Sequence, residues 1–246
     1  MKKLKLVSIV FFTFICGTTQ AQVAIGTNTP NNSAKLEVAA TNKGFLPPRM
    51  DLTARNAIAT PAAGLTIYNT TSNAFECFNG TAWYSTVHYI GENYGGGIVF
   101  YVYDNGQHGL IAATTDQSFG TQWYNGVNRY TGTTGDGVGV GAMNTPLIIA
   151  AQIADNQIGN FAARVCANYS VVSNGVHYGD WYLPSKEELN LLYIQKNVVG
   201  GFTNDIYYSS TETSDTNVWY QSFTDGTSTN GLKNITTAYV RAIRAF

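Results

Sequence analysis

The sequence is poor in the residues that build metal centres, disulfide frameworks and charged binding surfaces. It has three cysteines and three histidines in 246 residues, and only 12% of its residues are charged. Three cysteines are too few for a disulfide scaffold or a cysteine-rich metal site. The GxSxG, SxxK and HExxH motifs are also absent from the sequence. These absences exclude the hydrolase classes that carry those motifs and the cysteine-rich metalloproteins.

Long apolar runs are lacking too, apart from one at the start of the chain. Residues 6–15 are almost entirely apolar, which is about half the roughly 20 residues that a membrane-spanning helix needs. Three lysines precede this run, and small residues ending at Ala21 follow it. The pattern predicts a signal peptide over residues 1–21 and an exported protein. Lipidation at Cys16 is the alternative, and Thr13 and Ile15 fit a lipidation site poorly.

The exported chain has little charge of either sign. Removing the three leader lysines from the 14 basic residues leaves 11 against 15 acidic residues, a net charge of −4. Such a chain has no basic patch for phosphate backbones, so nucleic acid is not an expected partner. The remaining sequence is rich in Gly, Asn, Thr and Ser, as in extracellular β-rich and glycan-contacting proteins.

Residues 22–88 read as short strands separated by turn signals such as Pro47-Pro48 and Asn79-Gly80. One brief helix is predicted over residues 51–59. The segment is too short and too interrupted to build a large core, which indicates a β-rich stalk, an oligomeric segment or a cap.

The same segment carries a resemblance to known proteins. The run VAIGTNTP, LEV, NKGFLPPRM, ARNAI and PAAGLTIYNTTSNAFECFNGTAWY resembles a segment common at the start of exported Bacteroidetes proteins and related to phage tail-fibre modules. That resemblance implies a projecting, trimeric element.

Residues 89–246 read as a separate α+β domain. Strands are predicted at 98–103 and 109–115 around an Asn105-Gly106 turn, with one more strand within TTAYVRAIRAF at residues 236–246. Gly95-Gly96-Gly97 precedes a strand rather than a helix, which favours a tight turn over a phosphate loop. Residues 130–141 are predicted to be an irregular surface loop, and two short helices are predicted at 146–154 and 158–169.

The stretch over residues 179–223 organises this domain. Ser185 and Glu188 form a Ser-x-x-Glu capping box at the start of an amphipathic helix. Aromatic residues among Ser, Thr and Asn then predict strands joined by a polar loop. Glu187 suits the first turn of the helix, where a negative charge is favourable.

Several of these motifs together carry a second resemblance. GGGIVFYV, HGLIAATTDQS, AARVCANY, GDWYLPSKEELNLLY, YYSSTE, VWYQSF and VRAIRAF, in that order, resemble the Lcl C-terminal domain family, also called the Fibrobacter major paralogous domain. The resemblance implies a C-type-lectin-like fold with short helices and a mixed antiparallel sheet. It also implies export, trimeric assembly and adhesion to glycosaminoglycans.

The chain departs from the family in two respects. Ala242 stands where many members have a cysteine that could pair with the one at position 166, and the net charge is negative. The motif residues assigned structural roles are Trp181, Pro184, Ser185, Glu188, Trp219 and Arg241.

Candidate reactive residues have plainer explanations. His177 and Asp180 have the spacing of an acid/base or metal pair, but no other histidine lies nearby and a metal needs three or four ligands. Cys166 lies among small residues, which favours a buried thiol over a nucleophile. Whether it pairs with Cys77 stays open. His88 and His108 are interpreted as surface residues, and no metal site is predicted.

Ligand contacts are expected in the loops that follow residue 206. Side chains there offer oxygen and amide groups for hydroxyls or Ca²⁺, although the Glu-Pro-Asn, Gln-Pro-Asp and Trp-Asn-Asp triplets of calcium-dependent lectins are absent. Among the aromatic residues, Trp181 and Trp219 are assigned to the core. The candidate ligand-binding residues are Tyr207, Asp215, Asn217, Asp225, Asn230 and Lys233.

These observations predict a secreted or surface-displayed, non-catalytic trimer that binds a glycan or a cell-surface protein as an adhesin. The alternative is a structural component of a fibre or envelope assembly. A second alternative is an enzyme on the fold of the formylglycine-generating oxidases, which needs a reactive cysteine pair.

Overall fold

The computed structural model of the chain describes residues 22–154 and 159–246, so the predicted signal peptide lies outside the described residues. The chain divides into two compact units, the first ending at Pro47 and the second running from Pro48 to Phe246. Short helices and several small sheets give an α+β architecture, as predicted. The predicted domain boundary at residue 88 stays a prediction.

The strands share a short length, between two and seven residues. In chain order they are β1 (Val23–Ile25), β2 (Leu36–Val38), β3 (Arg49–Met50), β4 (Thr66–Asn69), β5 (Ala74–Phe78), β6 (Trp83–Ser85), β7 (Asn93–Tyr94), β8 (Gly97–Tyr103), β9 (His108–Ala112), β10 (Ser118–Phe119), β11 (Val171–Ser173), β12 (Val176–Tyr178), β13 (Ile206–Glu212), β14 (Asn217–Ser222), β15 (Ser228–Leu232), β16 (Tyr239–Val240) and β17 (Ile243–Ala245). The α-helices are α1 (Leu52–Asn56), α2 (Val140–Ile153), α3 (Ala162–Ala167), α4 (Lys186–Ile194) and α5 (Lys196–Val199).

The first unit contains a parallel pair, β1 and β2, in which Val23 lies beside Leu36 and Ile25 beside Val38. Residues 26–35 form the polar loop that connects the two strands. This connection is short, because parallel strands usually need a crossover of about a dozen or more residues.

The second unit contains a four-stranded sheet in the order β3-β4-β5-β6, which confirms the strands predicted in that region. The predicted helix is α1, whose first turn is capped by the Asp51 carboxylate accepting from the Ala54 N–H at 2.7 Å.

A second four-stranded sheet has the order β17-β9-β8-β7. Tyr94 pairs directly with Gly97, so Gly95 and Gly96 form a two-residue turn between β7 and β8. Their φ angles are +56° and +88°. A two-residue turn with positive φ at both positions suits glycine, so the tight-turn interpretation is confirmed. The predicted Asn105-Gly106 turn joins β8 to β9 through a single 3₁₀ turn.

The five-stranded sheet has the order β10-β16-β13-β14-β15, with β13 and β16 parallel and the other pairs antiparallel. Buried residues fill two core clusters beside these sheets. One contains Trp123, Trp181 and Tyr208, and the other contains Phe100 and Phe223.

The single C-terminal strand predicted over residues 236–246 is wrong. The segment forms two short strands in different sheets, because β16 pairs with β10 and β13 whereas β17 pairs with β9. Val240, Arg241, Ala242 and Ile243 are all buried. Consecutive burial means that this stretch runs through the interior between the sheets, where both faces of the chain are covered.

The helices differ from prediction in their bounds. α2 begins at Val140, six residues before the predicted start at Pro146. The Glu188 carboxylate of α4 accepts a hydrogen bond from the Gly141 N–H in the first turn of α2, which stabilises this earlier start. α3 lies within the predicted range of the second helix, whose predicted first residue, Ile158, lies outside the described residues.

Candidate functional site

A carboxylate in the predicted capping box binds two helix starts at once. The Ser185 side chain accepts from the Glu188 N–H, and the Glu188 carboxylate accepts from the Ser185 N–H at 2.8 Å, as predicted. The same carboxylate accepts from the N–H groups of Gly139 (2.8 Å) and Gly141 (3.1 Å) at the start of α2, and from the Tyr182 hydroxyl. Burial raises the pKa of Glu188, although the hydrogen bonds from these four donors act to lower it.

A second buried carboxylate binds the loop that precedes α2. Glu212 accepts from the N–H groups of Thr131 (2.8 Å) and Gly132 (2.9 Å) and forms an ion pair with Lys233. The Lys233 ammonium also donates to the Arg129 carbonyl at 2.9 Å and lies 4.6 Å from the centre of the Trp123 ring. The glycine-rich loop is irregular, as predicted, but two internal carboxylates hold it against the domain.

Two predicted ligand residues are therefore internal. Lys233 is 1% exposed, and desolvation lowers the pKa of its ammonium despite the neighbouring Glu212. Tyr207 is fully buried, and burial raises the pKa of its hydroxyl to about 12. Its hydroxyl donates to the Asp116 carboxylate at 3.0 Å. Neither side chain lies at a loop surface, because each closes a buried polar contact inside the unit.

The other predicted ligand residues lie at the outer edge of the five-stranded sheet. Asn217 and Asn230 come together, with their amide groups 3.5 Å apart. Asp215 is exposed in the turn between β13 and β14. Asp225 is exposed in the turn between β14 and β15, where the Thr227 N–H lowers the pKa of its carboxyl.

Trp219 was assigned to the core, and this assignment is wrong. It is only partly buried, belongs to neither core cluster, and pairs with Asn230 of the edge strand β15. The Lys186 ammonium lies 3.8 Å from the centre of its ring, within the range of a cation–π contact. The residues that β14 buries fully are Val218 and Gln221. Trp219, Asn217, Asn230 and Lys186 form a polar-aromatic patch, called here the edge patch.

The remaining residues assigned structural roles are also buried, and Trp181 lies in a core cluster as predicted. Trp181, Pro184 and Ser185 lie inside the unit. Arg241 is 1% exposed, and its guanidinium donates to one carboxylate oxygen and three carbonyl oxygens.

Asp180 pairs with Arg244 rather than with a histidine. Two hydrogen bonds of 2.7 and 2.9 Å join the carboxylate to the guanidinium. Partial burial tends to raise the pKa of Asp180, but the hydrogen bonds and charge of Arg244 outweigh it and the pKa lies below its ordinary value. His177 is exposed on β12. No three His, Cys, Asp or Glu side chains in residues 22–154 and 159–246 are grouped to hold a metal ion.

The two described cysteines are both free thiols, so the open question of their pairing is resolved against a disulfide. Cys166 is fully buried in α3, and desolvation raises the pKa of its thiol far above the ordinary value. Cys77 is exposed on β5.

A cleft of about 690 Å³ in the second unit lies between the β4–β5 turn and the β8–β9 turn. Its wall includes His88, which was predicted at the surface and is half-buried. His88 Nδ1 lies 2.9 Å from the Glu92 carboxylate, and the ring packs against Tyr94 and Phe246. Asn73 and Asn105 also line the cleft, both with positive φ.

The first unit has an uncovered apolar face. Four aliphatic side chains of β1 and β2 are between 42% and 59% exposed: Val23, Ile25, Leu36 and Val38. Phe45 and Leu46, later in the same unit, are also exposed. Across the described ranges, helices of the length and hydropathy required to cross a bilayer were not found.

Residues 24–135 match the family model of the phage tail-like trimerisation region. No curated protein matches the chain. The match begins in β1, includes the sheet of β3 to β6, and ends in the glycine-rich loop. The chain thus contains a tail-fibre-like segment, as predicted, and the match supports its assembly as a trimer.

Proposed function

We propose that this protein is an exported, trimeric structural component of a fibre-type assembly. The match of residues 24–135 to a phage tail-like trimerisation region carries the proposal, because that match covers the segment predicted to project and to associate. The uncovered aliphatic face of β1 and β2 supports it, since a face of this kind favours association.

The proposed role is non-catalytic. The buried Cys166 thiol, with its raised pKa, has too little thiolate to act as a nucleophile, and Cys77 lies on a different element with no cysteine partner. The buried ionisable groups Glu188, Glu212 and Arg241 hold backbone groups in place. This assignment supports a structural rather than a reactive use of the polar interior.

Sedimentation equilibrium on residues 22–246 tests the proposed trimer, with an expected mass of three chains. Fractionation of the producing cells tests the fibre role, with the protein expected in sedimentable particles or at the cell surface. A protein that stays monomeric, or that occurs only free in the medium, contradicts the structural role.

Ligand binding by the second unit is the second candidate, as expected of a C-type-lectin-like domain of the Lcl family. The observation that favours it is the edge patch, where the amides of Asn217 and Asn230 lie 3.5 Å apart and Asn230 is the strand partner of Trp219. Amide groups next to an aromatic face suit the hydroxyls and the apolar face of a sugar ring.

A glycan-array screen of residues 22–246, with calcium and again with chelator, tests this second candidate. We expect saturable binding to a defined sugar class that Asn230→Ala weakens and that Asn197→Ala, an exposed change in α5, leaves unchanged. No binding by a folded trimer in either condition rejects glycan binding and leaves the structural role standing.

A further inference from the structure

We infer that three copies of this chain associate through one face of the β1–β2 pair, formed by Val23, Ile25, Leu36 and Val38 and called here the aliphatic face. The inference rests on the proposed trimer and identifies the surface that makes it. It concerns only the first unit, which carries all four side chains.

The strand geometry places these four side chains together. Successive residues of a strand point to opposite faces, so Val23 and Ile25 share one face of β1, and Leu36 and Val38 share one face of β2. The register sets Val23 beside Leu36 and Ile25 beside Val38. The result is a compact two-by-two block of branched side chains, each at least 42% exposed.

The opposite face of the pair carries Ala24 and Glu37, and both are less exposed than the four aliphatic residues. The connecting loop packs at that face, because the Asn31 N–H donates to the Glu37 carboxylate at 2.6 Å. The Gln22 side chain fixes the loop by donating to the carbonyls of Asn31 (3.2 Å) and Ala34 (3.0 Å). The chain thus covers the polar face and leaves the aliphatic face bare, the reverse of what a stable monomer needs.

An isolated parallel pair also needs a partner for its stability. Parallel sheets occur almost only where both faces are covered, and two strands alone are marginal in water. Three residues in each strand provide few ladder hydrogen bonds to compensate. Burial of the aliphatic face is therefore the main source of stability open to this pair.

Further copies of the same chain are the occupant that fits the aliphatic face. The trimerisation match starts at residue 24, inside β1, and includes the rest of β1 and all of β2. The face carries no charge, so identical copies meet without repulsion, whereas Glu37 points to the other side. Around a three-fold axis, three such faces enclose one shared apolar core that a single copy lacks.

The test compares Leu36→Asp with Val172→Asp in residues 22–246. Both residues are 57% exposed aliphatic side chains of three-residue strands, but Val172 lies on β11 of the second unit. Removing one leucine that the trimer buries from each of three copies should weaken the trimer about 10⁴-fold. We expect Leu36→Asp to sediment as a monomer and Val172→Asp to remain a trimer.

The outcomes separate this inference from the proposed function. If the wild-type protein is a trimer and Leu36→Asp remains one, the aliphatic face is not the contact, although the structural role stands. If Val172→Asp also dissociates, the effect is not specific to the face and the inference is rejected. A monomeric wild-type protein rejects the proposed trimer itself.

Cross-linking covers the case in which Leu36→Asp misfolds. In a Cys77→Ser background, Ile25→Cys places a thiol on the aliphatic face, and Val172→Cys serves as the control. Packed sheet faces lie roughly 10 Å apart, so a bis-maleimide of that span should join neighbouring copies through residue 25. Rapid formation of covalent dimers by Ile25→Cys alone supports the inference, and equal rates in the two variants refute it.

Discussion

Arg241→Lys should destabilise the second unit, although the substitution keeps the positive charge. The guanidinium Nε donates to the Asp116 carboxylate at 2.7 Å, and its two terminal nitrogens donate to the carbonyls of Ala113 (2.9 Å), Gly200 (3.3 Å) and Gly201 (2.5 Å). The guanidinium carbon also lies 3.9 Å from the centre of the Phe202 ring. One arginine therefore joins the end of β9, the loop after it and the segment after α5.

The magnitude follows from the hydrogen bonds that lysine cannot make. An ammonium group on a flexible stem can keep the Asp116 contact, but it lacks the planar fork that reaches three carbonyls at once. Losing two hydrogen bonds from a charged donor, at about 1.5–3 kcal/mol each, destabilises the unit by about 4 kcal/mol. With a typical urea m-value of about 2 kcal/mol/M, the unfolding midpoint falls by about 2 M.

Urea unfolding followed by tryptophan fluorescence measures this change, because Trp123 and Trp181 are buried in the same unit. Protein concentration is held constant, since association adds to apparent stability. Arg49→Lys is the matched control, because Arg49 is exposed and should tolerate the same substitution with a change below about 0.5 kcal/mol. An Arg241→Lys midpoint within error of this control would refute the assigned role of the guanidinium.

Three further predictions concern polar and backbone contacts of the second unit. Lys233→Met should destabilise the unit by about 3–5 kcal/mol, because it leaves the Glu212 carboxylate buried without its cation. Adding Glu212→Gln should restore part of that stability, as measured by a double-mutant cycle of urea unfolding. Additive effects of the two substitutions would contradict the coupling. Gly141→Ala should lower the thermal unfolding midpoint although alanine favours helices, because its Cβ would lie 2.4 Å from a Glu188 oxygen and 2.6 Å from the Leu183 carbonyl oxygen. The control is Gly179→Ala, whose Cβ would enter open space and should leave the midpoint unchanged. Because the pKa of Asp180 is lowered in the folded protein, its carboxylate contributes stability above the ordinary value of 3.8, and this contribution is lost as the pH falls through the folded-state pKa. In acid unfolding titrations, the stability of the wild type should therefore fall more steeply below pH 3.8 than the stability of Asp180→Asn.

Local signals in the sequence predicted much of the fold. The Ser185–Glu188 capping box, the Gly95-Gly96 turn and the Asn105-Gly106 turn each depend on residues within four positions of one another, and all three occur as expected. The strand positions could also be predicted from nearby residues, namely the alternation of polar and apolar side chains and the turn residues between strands. The tail-fibre-like character of the first part was also visible, because it depends on a recognisable run of residues.

Contacts between distant residues were not visible in the sequence. Glu212 and Lys233 form a buried ion pair across 21 positions, and no local pattern marks either as internal. Lysine is usually exposed, so Lys233 was placed at a loop surface. Trp219 was placed in the core for the opposite reason, since large aromatic residues usually are buried. The edge position of β15 decides its exposure, and strand order is a tertiary property.

The split of the C-terminal segment between two sheets also sets an order of folding. β16 lies between β10 and β13, and β17 lies beside β9, so neither sheet is complete until residues 239–245 have joined it. These pairings link positions more than 100 residues apart, such as Ser118 with Val240 and Ala112 with Ile243. A fold with such high contact order forms slowly. During synthesis both sheets therefore stay open, with β9 and β13 each lacking one partner strand, until residues 239–245 have been made.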